Sequence, residues 1–212
     1  MNLDLFENLI SEKIKEKFLN EEPSHDFLHF SRVVKIAKEL TRKENAKIEV
    51  VMPAAWLHDF VLVPKDDPKR EQASNLSAEA AIQFLKEINY PDQHFTEIKH
   101  AIRTHSYSAG IRPETVEAQI VQDADRLDAL GAIGIARCFV TAGLLKNKLY
   151  SITDPFCEKR TPNDRENTID HFYKKLLNLE AKLNTPSAKE EGVRRTQVLR
   201  QYLKDLSLEI SN

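Results

Sequence analysis

The sequence predicts an all-α fold, one helical domain of roughly nine helices over residues 1–212. Three observations predict it. Apolar residues recur at spacings of three and four along most of the chain, which is the period of a helix face. No apolar–polar alternation lasts more than a few residues, so strands have no pattern to grow from. Only five glycines occur in 212 residues, and the proline-bearing polar stretches fall between the periodic runs. A chain of this length carries one sizeable core, without a second full domain. The core is expected over about residues 20–145, with C-terminal helices over about 164–211 packed on it.

The elements follow in order. Phe6, Ile10, Ile14 and Phe18 form one stripe on the first helix. A second helix runs from about Phe27 into the forties, with Phe30, Val33, Ala37 and Leu40 on one side and Asp26 or Ser24 as cap. The third starts near Ile48, carries Pro53 and passes through HDF; its all-round apolar character places it at the centre of the fold. PKDDPKREQ, 64–72, reads as a loop. A helix over roughly 75–88 follows, and Pro91 opens the next, which runs to about His105. SYSAGIRP, 106–113, is a second loop, and Pro113 suits the first position of a long helix through Asp128. Gly131 and Gly134 mark a break or a close helix contact before Ile135–Leu145 continues helical. The stretch 146–167 is the longest irregular region, and helices near 168–183 and 188–209 complete the chain.

Composition narrows the function classes. The formal net charge of −2 argues against a broad nucleic-acid surface, leaving a local basic pocket as the place for anion binding. Cys138 and Cys157 form no C-x-x-C pair and read as reduced thiols in a cytosolic setting. The opening MNLDLFENLISEKIKEKF has no signal-peptide apolar core, and no apolar run is long enough to span a bilayer. A cytoplasmic protein without membrane or nucleic-acid partners is expected.

WLHDF, 56–60, sets a histidine beside an aspartate in the most apolar segment of the chain. Burying a charge is costly unless something pairs with it or binds it. Either His58 and Asp59 satisfy one another, or a divalent ion takes an imidazole nitrogen and a carboxylate oxygen together. An ion needs further ligands, and two stretches carry candidates. SHDFLHFSRVVKIA, 24–37, holds His25 and His29 one turn apart; His29 falls on the inward stripe with Val33, Ile36 and Leu40. AQIVQDADRLDALGAIGIAR, 118–137, sets Asp123, Asp125, Arg126 and Asp128 in an apolar context that suits an exposed Asp123–Arg126 pair poorly. Asp125 and Asp128 flank one side of the stripe made by Ile120, Ala124 and Leu127, about 60° apart, with Asp123 and Arg126 towards the other.

The order H…HD…D resembles the HD superfamily of metal-dependent phosphohydrolases. HDFLHFSRVVKIA, AAWLHDF, RTHSYSAG, IVQDADRLDALGAIGIAR and NTIDHFYKKLLNL together resemble its small stand-alone bacterial members, some described as nucleotide pyrophosphohydrolases, over residues 20–205. The HD pair alone is unspecific; the spaced motifs together are specific. The resemblance implies His29 as first ligand, ahead of His25, then His58 and Asp59, and Asp125 as the last, with Asp123 as second choice. It also matches His105 to a histidine lining the pocket; a histidine interacting with a helix C-terminus is the structural alternative.

Two histidines and two carboxylates suit Mn²⁺, Fe²⁺, Co²⁺, Ni²⁺ or Zn²⁺, and suit Mg²⁺ less well. Four protein ligands leave room for water and substrate only on a five- or six-coordinate ion, which favours Mn²⁺. Such an ion acidifies a water and polarises a phosphoryl oxygen. His58 and Asp59 are therefore the expected catalytic pair, with Asp59 as general base. Charge growing on phosphate oxygens calls for cations, and Arg32, Lys65, Lys69, Arg126 and Lys175 are candidates. Asp26 and Asp128 are expected to orient ligand imidazoles or line the substrate site, and Tyr107 and Phe60 are candidates for stacking on a base. The expected activity is hydrolysis of a nucleoside triphosphate to monophosphate and pyrophosphate. A nucleotide phosphomonoesterase or phosphodiesterase of the same fold is the alternative, and a silent metal-stabilised scaffold is the alternative from another class. Hydrolysis of a guanosine polyphosphate fits less well, because Asp128-Ala129 stands where alarmone hydrolases carry a histidine–asparagine pair. Apolar helices such as 168–183 make a homodimer a further expectation.

Overall fold

The computed structural model describes residues 1–19, 26–63, 67, 70–106 and 110–210. Ser24, His25, Lys65, Lys69 and Tyr107 lie outside the described residues. Among those described, the chain is all-α: nine α-helices with short 3-10 turns, one isolated bridge between Lys148 and Asn167, and no strand. They group into two compact units, Met1–Asp125 with Asn184–Ser187, and Arg126–Leu183 with Ala188–Asn212. No single helix is long and apolar enough to cross a membrane.

The first unit holds α1 (Leu3–Phe18), α2 (Phe27–Glu44), α3 (Ile48–Leu57), α4 (Ala73–Glu87), α5 (Phe95–His105) and most of α6 (Val116–Asp128). Its core is the predicted set: Ile10, Ile14 and Phe18 from α1 are buried, as are Phe30, Val33, Ala37 and Leu40 from α2. Helix α3 is buried from Val50 to Leu57 and packs against α1, α2 and α5. Pro53 lies inside it. A proline has no N–H to give the carbonyl four residues back, and that carbonyl, Glu49, accepts instead from the Tyr90 hydroxyl at 2.7 Å. The Lys47 backbone N–H at the start of α3 donates to the Glu117 carboxylate at 3.1 Å. Asp26 caps α2 by accepting from the His29 backbone N–H at 2.9 Å.

Three boundaries differ from expectation in this unit, one of them the start of α5, which begins at Phe95 after a 3-10 turn over Asp92–His94 and not at Pro91. Helix α3 stops at Leu57, so His58 and Asp59 occupy a turn and not a helix. The His58 ring itself donates from Nδ1 to the Ala55 carbonyl, an acceptor that continued helix would need, and thereby competes with helix extension. Helix α6 begins at Val116 and not at Pro113. Thr115 precedes it, and its hydroxyl accepts from the Ala118 N–H at 3.2 Å; a capping side chain at the boundary decides the start.

The second unit contains the end of α6, α7 (Gly131–Leu144), α8 (Asp170–Lys174) and α9 (Pro186–Ile210) apart from its first residues. Gly131 has φ +70°, and a Cβ on Gly134 would lie 2.2 Å from the Ala129 carbonyl oxygen, so glycine is required on both counts at the start of α7. The expected helix over 168–183 is instead α8, only five residues long, followed by 3-10 turns over Leu176–Asn178 and Glu180–Lys182. Spacings of three between apolar residues serve a 3-10 turn as well as an α-turn. Phe139, Phe172 and Tyr202 cluster in this unit with ring centroids 5.8–6.2 Å apart, the buried Phe172 stacking on the half-buried Tyr202. Within the irregular stretch, Arg160 holds the fully buried Asp170 through two bonds of 2.5 and 2.6 Å, and Asp154 accepts from the backbone N–H groups of Glu158, Lys159 and Arg160.

Candidate metal centre

Three elements of the first unit end, or begin, where their histidines converge. His29 lies in the first turn of α2, His58 follows α3 and His105 is the last residue of α5; all three are buried. His58 Nδ1 lies 2.9 Å from the Ala55 carbonyl and His105 Nδ1 lies 2.6 Å from the Ile102 carbonyl. A carbonyl only accepts, so in each ring Nδ1 carries the proton and donates. That leaves Nε2 of the neutral His58 ring as a lone pair, whereas Nε2 of His105 faces the Asp59 carboxylate as a donor. His58 Nε2 points at His29 Nε2, 3.3 Å away. Burial pushes the His58 imidazole down to about 4, which keeps it neutral. For His105, burial also acts downward, but the hydrogen bond and charge of Asp59 outweigh it and raise the imidazole above its ordinary value.

Two carboxylates complete the cluster. Asp125, on α6, has Oδ1 3.7 Å from His29 Nε2. Asp59 has Oδ2 3.8 Å from His58 Nε2 and Oδ1 3.3 Å from His105 Nε2. The five donors form two overlapping triads, His29–His58–Asp125 and His58–Asp59–His105, with ligating atoms in each within 4.8 Å of one another. His58 Nε2 belongs to both. Its other nitrogen is committed to Ala55, and one lone pair serves one ion, so the triads describe a single centre around His58.

The donor set fits a divalent transition ion. Two nitrogens 3.3 Å apart have the separation of neighbouring ligands on one ion at metal–nitrogen distances of about 2.0–2.1 Å. Neutral imidazoles and ionised carboxylates are the protonation states that ligation needs. Asp59 and Asp125 remain 22 % and 32 % exposed, so the carboxylate side of the centre is open to a small molecule while the imidazole side is closed.

The turn that carries the HD pair is held from several sides. The Phe60 N–H donates to the Leu57 carbonyl, Ser77 Oγ bonds both the N–H and the carbonyl of Val61, and Lys17 donates to the Phe60 carbonyl at 2.6 Å. Lys17 also sits 4.3 Å over the Phe60 ring, and burial pushes its ammonium below the ordinary lysine range. Neither Lys17 nor Ser77 carries a sequence signal for this role. His105 carried one: it completes the buried face of α5 with Ile98, Ala101 and Ile102, at spacings of three and four.

The remaining expected residues are placed as follows. Arg32 is half-buried on α2, one turn after His29. Phe60 is buried against Phe84. Asp123 is fully buried and accepts from the backbone N–H groups and side chains of Asn184 and Thr185, at 2.8–2.9 Å, so its oxygens are occupied. Burial raises its carboxyl above the ordinary range against those donors. Arg126, Asp128 and Lys175 belong to the second unit. There Arg126 donates to the Lys182 carbonyl, and Asp128 is 1 % exposed with its Oδ2 2.8 Å from Arg137. Lys175 ends α8.

Known proteins resemble this chain in sequence and fold. The HD domain family profile matches residues 26–130, which span His29, His58-Asp59, His105 and Asp125. The Bacillus subtilis (strain 168) protein YpgQ is 32% identical over 195 residues, covering 90% of this chain and 87% of its own. The crystal structure of YpgQ in complex with ADP matches with a TM-score of 0.76 at 32% identity, covering 96% of this chain and 97% of that one. The structure of an HD-superfamily hydrolase from Bacillus thuringiensis matches with a TM-score of 0.75 at 29% identity, covering 97% of each chain. With a relative of this identity over nearly its full length, and with the profile spanning the histidines and carboxylates that converge, the chain belongs to the HD domain family.

Proposed function

We propose that this chain is a metal-dependent phosphohydrolase that cleaves nucleoside triphosphates to monophosphate and pyrophosphate. The observation that carries the reading is the cluster of two buried imidazoles and two part-exposed carboxylates in one HD domain. The ADP seen with YpgQ supports a nucleotide as the small molecule.

His29, His58, Asp59 and Asp125 are the proposed metal ligands, and Mn²⁺ the favoured ion. When bound, it supplies Lewis acidity towards a phosphoryl oxygen and acidifies a water. The protein residues have separate work. Nδ1 of His58, fixed on the Ala55 carbonyl, holds its ring in the ligating tautomer. Asp59 takes the proton of the attacking water at a carboxylate oxygen, and His105 steadies that carboxylate from its other side. Arg32, one turn from His29, is the cation within the same unit for charge that grows on the phosphate oxygens. Lys65, which follows the HD pair in the sequence, is proposed for the same role.

A nucleotide panel tests the reading. Incubation with Mn²⁺ is expected to release pyrophosphate and monophosphate from triphosphates, detected by ion-exchange chromatography. Release of orthophosphate alone would move the reading to a phosphomonoesterase. Metal bound without turnover across the panel would make the chain a scaffold.

A further inference from the structure

Helix α5 ends inside the first unit, where its last carbonyls have no N–H of a further helical turn to meet. Two side chains meet them instead. The His105 ring takes the Ile102 carbonyl, and Gln122 of α6 takes the Thr104 carbonyl, with Nε2 2.6 Å from it. Gln122 is only 3% exposed, so this bond is sheltered from competing water. A carbonyl only accepts, which orients the amide: Nε2 faces Thr104, and Oε1 is left to accept. Oε1 accepts from Asn184 Nδ2 at 2.9 Å, and the same Nδ2 donates to Asp123 Oδ1 at 2.8 Å. The two hydrogens of the Asn184 amide thus serve two neighbouring residues of α6. Asn184–Ser187 belongs to the first unit. Its backbone N–H groups at Asn184 and Thr185 donate to Asp123, and that of Ser187 donates to Glu44, the last residue of α2, at 2.8 Å. The segment is a strap joined to α2 and α6 and, through Gln122, to the end of α5.

We infer that Gln122 and Asn184 are positioning residues of the metal centre: the Asn184–Gln122–Thr104 chain of hydrogen bonds sets Asp125 of α6 against the end of α5. Thr104 immediately precedes His105, which bears on Asp59 at 3.3 Å. Asp125 stands three residues after Gln122, on a neighbouring face of α6. A tie between 104 and 122 therefore joins the backbone points that carry both carboxylate-bearing sides of the centre. Gln122 and Asp123 are held on faces about 100° apart. Two anchors on different faces stop α6 from rolling about its axis, and a roll would carry Asp125 away from His29, now 3.7 Å from it. Each donor in the chain polarises the next, so loss of the Asn184 amide also weakens the bond from Gln122 to Thr104. The inference rests on the ligand assignment in the proposed function and is independent of the nucleotide substrate.

Calorimetric titration of Mn²⁺ into the chelator-treated full chain tests it. Gln122→Met keeps the side-chain length and loses both bonds; it is expected to weaken Mn²⁺ binding by about tenfold. Asn184→Ala removes only the side-chain links and leaves the backbone bonds of residues 184 and 185 to Asp123 in place. It is expected to weaken Mn²⁺ by a smaller factor, roughly three- to fivefold. The visible absorption bands of bound Co²⁺, which report ligand geometry, are expected to shift in both variants. Urea denaturation gives the folded fraction of each. Tyr90→Phe, which loosens the same unit at the start of α3, is expected to leave the Mn²⁺ affinity and the Co²⁺ bands unchanged. A wild type that binds no Mn²⁺ overturns the ligand assignment and the inference together. Mn²⁺ bound by the wild type, with unchanged affinity and unchanged bands in Gln122→Met, overturns the inference alone; Asn184→Ala decides in the same way where Gln122→Met does not fold. Equal weakening by Tyr90→Phe overturns it too, because affinity would then follow general stability.

Discussion

Asp123 and Asp125 stand two residues apart on α6 and meet opposite environments. Asp125 faces the imidazole of His29, while Asp123 turns to the backbone of Asn184 and Thr185. Their alanine variants are therefore expected to fail in different ways. Asp125→Ala is expected to lose the metal, read by inductively coupled plasma mass spectrometry, and to lower kcat by about 10³-fold or more. Asp123→Ala leaves several buried donors unpaired and is expected to cost about 2–4 kcal/mol of stability while the remaining protein still binds metal. Retained metal in Asp125→Ala with loss in Asp123→Ala would exchange their roles. His58→Ala and Asp59→Ala are expected to lose both metal and activity. His105→Asn, which keeps a polar group beside Asp59, is expected to lower activity by about 10–100-fold with the metal still bound.

At the level of elements, α3 and α5 end by the same device. A histidine ring turns back and donates Nδ1 to the carbonyl three residues before it, which stops the helix and aims Nε2 inward. Stopping the helix and aiming the donor are one event, so these ends are part of the site. Helix α3 also depends on Tyr90 for the carbonyl that Pro53 leaves free. Tyr90→Phe is expected to cost about 1–2 kcal/mol by urea denaturation. In a Pro53→Ala background the cost should shrink, because the substituted alanine supplies the missing N–H; equal costs in both backgrounds would remove this account. The same helix shows what sequence reading can reach. Its burial, its proline and the HD pair were legible because periodicity reports which face is inward. The helix end was not, because the competing donor is a side-chain ring and leaves no trace in periodicity. The segment 168–183 failed for a related reason: residues 169, 172, 176, 179 and 183 repeat at three and four, and that spacing does not separate one helix from a short helix followed by 3-10 turns. His29 and the HD pair were legible as members of a set, whereas the support from Lys17 and Ser77 depends on contacts 43 and 16 residues apart in the chain.

For the molecule as a whole, the candidate ligands are dispersed over nearly a hundred residues, from His29 to Asp125, and are carried by α2, the turn after α3, and α6. An ion held by all of them acts as a cross-link between these elements. Such an ion binds the folded first unit and has no equivalent site in the unfolded chain, so its binding free energy adds to stability. At a hundredfold excess over Kd the gain is about 2.7 kcal/mol. For a chain of this size that corresponds to a rise in Tm of roughly 5–10 °C. Calorimetry is therefore expected to show Mn²⁺ raising the melting temperature of the chelator-treated wild type and leaving His58→Ala unmoved. Calcium is expected to give a smaller shift, because a centre built partly of imidazoles does not offer it an oxygen cage. The same order should appear in activity: loss on chelation, and best recovery with a transition ion. An equal shift in wild type and His58→Ala would mean that the ion binds elsewhere, and the four side chains would then be packing without a ligand in common.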